Sequence, residues 1–211
     1  MTIAHATIES VIERAAAAAG AARHPLAPGA VGQLCRWLDL VWTWNKKIDL
    51  TAAKTEPELA ELGVLDAAVL AHRIDTGRHV DVGSGFGAPG LPLAILRADL
   101  RTTLIEPLAK RATFLRTVVG TLGLVERVQV VESKGEPVAA RGDRFDVATS
   151  RATLAPEAWA ELGASLAPEG EVTVLVAKSA VPELAGRSIG WSVDYVTAAG
   201  APRTAAALVR A

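Results

Sequence analysis

From Asp81 to Gly90 the chain reads Asp-Val-Gly-Ser-Gly-Phe-Gly-Ala-Pro-Gly. The run begins within residues 79–82, which read as a short buried strand, and leads into a stretch at 89–97 that reads as a helix opened by prolines. A strand, a glycine turn and a helix start form the floor of a nucleotide-type pocket in a doubly wound sheet. Gly83, Gly85 and Gly87, with Ser84 between and Pro89 beyond, suit a backbone that visits positive φ and must approach a ligand closely. The spacing Gly83-x-Gly85-x-x-Ala88 also fits the loose dinucleotide pattern. Asp81 stands against that ligand, because a carboxylate two residues before the first glycine would face a pyrophosphate across a short gap. S-adenosylmethionine has a sulfonium and an ammonium and no phosphate, so an acid is favourable there. Glu106, followed by Pro107, closes the second expected strand, where acidic side chains take ribose hydroxyls for either cofactor. These residues favour a methyl donor; a dinucleotide and a turn without ligand are the alternatives.

Other candidate residues follow from their place at strand ends. Arg151 follows the fourth expected strand, beside the pocket, where its fork suits a phosphate or a base edge, and a salt bridge at a helix entrance is the plainer reading. Lys178 ends the fifth strand. Lys110 and Arg111 follow Glu106, with Arg116 about a turn and a half later; phosphate contacts and ordinary solvated helix charges fit them equally. Ser133, Lys134, Gly135 and Glu136 form a loop after the third strand that would pass an adenine. His72 and His79 lack metal-ligand spacing, and no metal site is expected. Cys35 lies on an apolar helical pattern and reads as buried filler.

These side chains need a scaffold, and the 211 residues, half of them hydrophobic, are enough for one folded domain with an appended helical region. Net charge is −1, which gives no whole-chain support for nucleic-acid binding and does not exclude a local basic face. No run reaches membrane-span length, no signal peptide is evident, and one cysteine excludes an internal disulfide, so the cytoplasm is expected. Helical spacing places helices at 3–22, 31–44 and from Thr55 as N-cap towards His72, which defines a helical region over residues 1–75. The tryptophans there read as core. From residue 76 to 211 strands alternate with helices: strands at 79–82, 101–106, 128–132, 145–149 and 171–177, helices at 89–97, 108–122 and 156–166. Two last strands, 189–197 and 203–210, join at Gly200-Ala201-Pro202 as an antiparallel hairpin at the sheet edge. The expected fold class is α/β: a Rossmann-like parallel sheet ending in that hairpin, the architecture of class I S-adenosylmethionine-dependent methyltransferases.

The chain resembles the bacterial small-subunit ribosomal RNA guanine-N7 methyltransferases, also called glucose-inhibited division protein B. The matching blocks are Trp44-Asn45-Lys46-Lys47-Ile48-Asp49-Leu50-Thr51, residues 81–95, Lys110-Arg111-Ala112-Thr113-Phe114-Leu115, Glu132-Ser133-Lys134, Phe145-Asp146, Ser150-Arg151-Ala152 and Ala177-Lys178. The resemblance implies methyl transfer to guanine N7 in 16S ribosomal RNA. Its donor site would be Asp81, Gly83, Ser84, Gly85, Gly87, Pro89, Glu106, Pro107, residues 133–136 and Arg151. Arg151 and Lys178 would serve catalysis, and Lys47, Lys110, Arg111, Arg151, Lys178 and Arg203 would hold ribosomal RNA or the small subunit. A monomer is expected. Guanine N7 has a lone pair and no proton to lose, which agrees with a sequence offering no Ser/His/Asp set and no paired carboxylates. Departures lie on the substrate side: Asp49 replaces Asn, Leu62-Gly63 replaces a basic pair, Ala67 replaces a serine and Ser179 a glycine. A methyltransferase acting on a small molecule or protein, and a donor-binding protein without turnover, remain as other readings.

Overall fold

Residues buried on both faces of β1 (Gly77–Val82), Val80 and Val82 on one and His79 and Asp81 on the other, mark it as a strand covered on two sides. The computed structural model, which describes residues 3–20 and 22–211, places it near the centre of a seven-stranded sheet. Its neighbours are β2 (Leu100–Ile105) and β4 (Val147–Ser150), both parallel to it. With β3 (Val128–Val131), β5 (Glu171–Val176), β6 (Arg187–Val196) and β7 (Pro202–Arg210), the order is β3-β2-β1-β4-β5-β7-β6. β7 runs antiparallel between β5 and β6, so the final hairpin lies at the sheet edge as expected. The order reverses between β1 and β4, and a crevice opens there beyond the strands' C-terminal ends.

Helices α1 (His5–Ala19), α2 (Ala30–Ile48), α3 (Glu56–Arg73), α4 (Gly90–Leu96) and α5 (Ala109–Thr121) share one apolar core, in which Ile8, Trp37, Leu38, Leu70, Leu93 and Phe114 pack with Leu100 and Leu104. A second core joins α6 (Gly135–Ala140) and α7 (Pro156–Leu166) through Val138, Trp159 and Leu166 to Val80, Val82, Ile105 and Val174. Thr55 caps α3 by accepting from the Glu58 amide, and Cys35 is buried. No helix is long and apolar enough to cross a membrane.

Three expectations need correction. α2 continues past Trp44 to Ile48, because Asn45 closes its end from within the last turn: its Oδ1 accepts from the Leu50 and Thr51 amides. Asp49 then takes a left-handed conformation at φ 50°, which Asn and Asp tolerate best after glycine. Residues 135–140, read partly as a loop, form α6; it has one buried hydrophobic residue, Val138, and so shows no periodicity. β4 is four residues long, with Phe145 and Asp146 before it and Ser150 inside it. Ala21, within the first expected helix, lies outside the described residues.

Candidate active site

Backbone bonds to the end of β2 shape the glycine loop. The amides of Gly83 and Ser84 both donate to the Ile105 carbonyl, at 2.8 and 3.0 Å, and the Gly85 amide donates to Glu106 Oε2 at 2.8 Å. Glu106 Oε1 accepts from the Leu108 amide at 2.9 Å, so this buried carboxylate ties the loop to the start of α5. A pyrophosphate needs free amides aimed at it; three successive amides here are already engaged, which disfavours a dinucleotide. Gly83 and Gly85 have φ of 74° and 56°. A Cβ on Gly83 would lie 2.1 Å from Thr153 Oγ1, whereas one on Gly85 would meet nothing nearer than a carbonyl at 3.9 Å. Gly85 therefore borders open space. Gly87 and Pro89 turn inward instead: a Gly87 Cβ would press on Leu91 and the Trp37 indole, and buried Pro89 precedes α4.

Beside the loop lies a cleft of about 220 Å³ lined by Val82, Gly83, Ile105, Pro107, residues 133–136, Thr153, Leu154 and Leu162. Its apolar walls and the turn between β3 and α6 suit an adenine. Gly135 permits that turn to approach, since a Cβ would come within 2.9 Å of Leu162 and 3.0 Å of Val82. Asp81 is fully buried below the loop. Its Oδ1 accepts from Thr149 at 2.8 Å; its Oδ2 lies against Gly90, whose backbone amide favours the charged form, but makes no hydrogen bond of good geometry and so has capacity left for a ligand ammonium. Burial raises its pKa to about 6, opposed by bonds from Ser84 and Thr149 and by the charge of Arg151. Ser84 Oγ donates to the Asp81 carbonyl and does not enter the cleft.

Leu154 joins this cleft to a second one of about 460 Å³, whose titratable lining residues are Arg151, Lys178 and Arg203. A third cleft of about 380 Å³ shares Arg151 and Arg203 and is bounded by α3 through Leu62, Leu65 and Asp66. Arg151 Nη1 donates to Asp66 Oδ2 at 3.0 Å and to the Leu62 carbonyl at 2.6 Å, so a salt bridge is present, with an acid in the middle of α3 and not at a helix entrance. Its guanidinium lies 5.8 Å from the Phe86 ring centroid, and Phe86 stacks on Trp37 at 5.8 Å and 7°. Trp37 Nε1 also donates to the Phe86 carbonyl. Arg151 thus touches the glycine loop without lining the first cleft. Lys178 is exposed two residues beyond β5, and Arg203 lies within β7.

Lys110 and Arg111 open α5, where Arg111 reaches the Asp49 carbonyl at 3.4 Å; exposed Lys47 lies in the last turn of α2. None of the three lines a cleft described above. Arg116, for which phosphate contact and an ordinary helix charge fit the sequence equally, is paired with Glu132 at 3.2 Å. His79 is enclosed between Thr102 and Thr149, and burial lowers its pKa to about 3. Sequence reasoning missed Asp66, Phe86, Thr149, Thr153 and Tyr195. Tyr195 donates to Asp66 Oδ1 at 2.8 Å from 129 residues away, a separation no local motif reveals.

A parallel sheet finished by an antiparallel β7, with a glycine loop and an acid ending β2, defines a class I methyltransferase, the class that takes its methyl group from S-adenosylmethionine. Within that class the chain belongs to the family described as rRNA small subunit methyltransferase G, whose sequence profile matches residues 31–207. A ribosomal RNA small subunit methyltransferase G from Anaeromyxobacter sp. strain Fw109-5 is 36% identical over 158 residues, covering 74% of each chain. Its counterpart from Stenotrophomonas maltophilia is 35% identical over 171 residues, covering 80% of this chain and 79% of its own. In fold the chain is similar to an O-methyltransferase from Bacillus cereus solved in complex with SAH, with TM-score 0.55 and 17% identity over 83% of this chain and 91% of that one.

Proposed function

We propose that this protein methylates N7 of a guanine in 16S ribosomal RNA, acting in the cytoplasm as a single chain that supplies every residue of both clefts. Asp81, Gly83, Gly85, Glu106, Pro107 and residues 133–136 hold S-adenosylmethionine, with Asp81 Oδ2 facing its ammonium and Glu106 its ribose. Arg151, Lys178 and Arg203 surround the acceptor, and Lys47, Lys110 and Arg111 add phosphate contacts at the α2–α5 rim. S-adenosylmethionine supplies an electrophilic methyl on a sulfonium. The N7 lone pair forms the new N–C bond as the C–S bond breaks, so alignment is the main requirement.

The observation that carries this reading is the lining of the cleft joined to the donor side at Leu154: its titratable groups are Arg151, Lys178 and Arg203, all cations, while the acids of the adjoining third cleft are already engaged, Asp66 by Arg151 and Tyr195, Glu61 by Arg14 and the Ala198 amide, and Glu58 by the Lys54 amide. An acceptor that must lose a proton needs a base at that point; N7 does not. Methyl incorporation into small subunits from a host lacking the gene, followed by mapping of 7-methylguanosine, tests the assignment. One newly modified guanine is expected. No incorporation into subunits or their RNA overturns it and favours a small-molecule or protein acceptor.

A further inference from the structure

Arg151 presents only part of its guanidinium to a ligand. Both Nη1 hydrogens are engaged, one by the Leu62 carbonyl and one by Asp66 Oδ2, and one face lies against Phe86. Among the described residues no protein acceptor meets Nε or Nη2. These two form one planar edge of the fork, and Arg151 lines both clefts on the acceptor side. Asp66 fixes the plane. Its other oxygen accepts from Tyr195, whose hydroxyl is kept protonated by burial and by the carboxylate beside it. Asp66 is 4% exposed, and its partners come from the end of β4 and from β6, so α3 holds the arginine in register with both.

Two ligand groups match a two-donor edge: the O6/N7 edge of guanine and a pair of phosphate oxygens. The reaction chooses between them. A donor on N7 would occupy the lone pair that must attack, and the base gains positive charge as the methyl arrives. A phosphate stays anionic throughout and leaves N7 free. Resting on the guanine-N7 reading above, we infer that the Nε/Nη2 edge of Arg151 holds a backbone phosphate of the acceptor nucleotide, and that Asp66, secured by Tyr195, is its positioning residue.

Salt dependence separates the two contacts, because only a phosphate contact contributes to the slope of log affinity against log salt. Binding to unmethylated small subunits is measured across a salt series for the wild type, Arg151→Gln, Arg151→Lys, Asp66→Asn and Tyr195→Phe, with kcat, KM and donor affinity. Arg151→Gln should lower the slope by about one and raise the acceptor KM roughly tenfold or more while donor affinity holds. Arg151→Lys should keep the slope but recover little of the KM, since a point charge lacks the fork. Tyr195→Phe and Asp66→Asn should raise KM several-fold with kcat and slope retained. If Asp66→Asn melts early, Tyr195→Phe decides, because it loses only the hydroxyl. An unchanged slope in Arg151→Gln, or a fall in kcat alone, overturns the phosphate assignment; wild-type KM in Tyr195→Phe overturns the positioning role. Failure of the wild type to methylate subunits would instead overturn the proposed function, so the two failures are distinct.

Discussion

Asp81 combines full burial, one bonded oxygen and one with capacity left for a ligand, and this makes its charge state a reporter of the donor site. Its folded pKa of about 6 exceeds the value of about 3.9 in an unfolded chain. The folded state therefore holds the proton more tightly. Its stabilising contribution is complete below about pH 4, declines as pH rises to about 6, and is then lost, an effect on the order of 3 kcal/mol. Asp81→Asn should melt higher than wild type at pH 7–8 without donor, and the gap should close near pH 4; thermal melts across that range check it. The donor ammonium would relieve the same penalty, so the variant should lose donor affinity at pH 7–8 in calorimetric titration. Glu106→Ala should cost about 1–3 kcal/mol of donor affinity, a loss read by the same titration. The loop glycines should separate in another way. Gly83→Ala forces a Cβ into Thr153 at positive φ and should cost about 2–4 kcal/mol of stability. Gly85→Val puts its side chain into open space but at φ 56°, so it should cost about 1–2 kcal/mol of backbone strain and abolish donor binding while the fold persists, as circular dichroism alongside calorimetry would show.

At the level of elements, the crossing of α2 and α3 limits what substrate side chains the protein can carry. A Cβ on Gly63 would lie 2.9 Å from Leu38 Cδ2 and 3.1 Å from the Trp37 indole, the same indole that supports Phe86. A large basic side chain has no room there. Gly63→His should cost at least about 1–3 kcal/mol through overpacking. Leu62→Arg, half-buried on the rim of the third cleft, should be tolerated and should strengthen RNA binding; melting and filter-binding assays would read the pair. The elements that were legible in sequence were those whose pattern is local. β5 announces itself by its apolar, β-branched residues, α7 by its opening proline, and the glycine loop by composition. α6 did not, because its burial rests on Val138 alone, and neither did the end of α2, where one Asn45 side chain replaces the usual glycine stop. The cleft beside the loop was legible for the same reason as the loop, since Pro107, Ser133, Lys134, Gly135 and Glu136, which line it, all follow strand ends. The bonds that hold Arg151 were not, since Asp66 and Tyr195 meet only once the chain has folded.

Over the whole molecule the net charge of −1 conceals an uneven distribution. Several cations are neutralised away from the clefts, Arg97 by Asp99, Arg116 by Glu132 and Arg210 by Glu169, and Arg14 is paired with Glu61 at the edge of the third cleft. Lys110, Lys178 and Arg203 make no ion pair among the described residues, and Arg151 keeps one edge free despite its bond to Asp66. With so small a net charge, attraction for RNA arises from these few groups and not from the field of the whole protein. Each phosphate contact releases counterions and contributes about 0.7–0.9 to the log–log salt slope. Contacts from Lys47, Lys110, Arg111, Arg151, Lys178 and Arg203 would give a slope of about −4 to −5, so raising salt from about 50 to about 200 mM should weaken binding by roughly 250- to 1,000-fold. Lys110→Gln and Lys178→Gln should each make the slope shallower by about one without touching donor affinity. RNA binding measured across that range checks both statements, and a slope near zero would remove RNA phosphates from the acceptor side of the molecule.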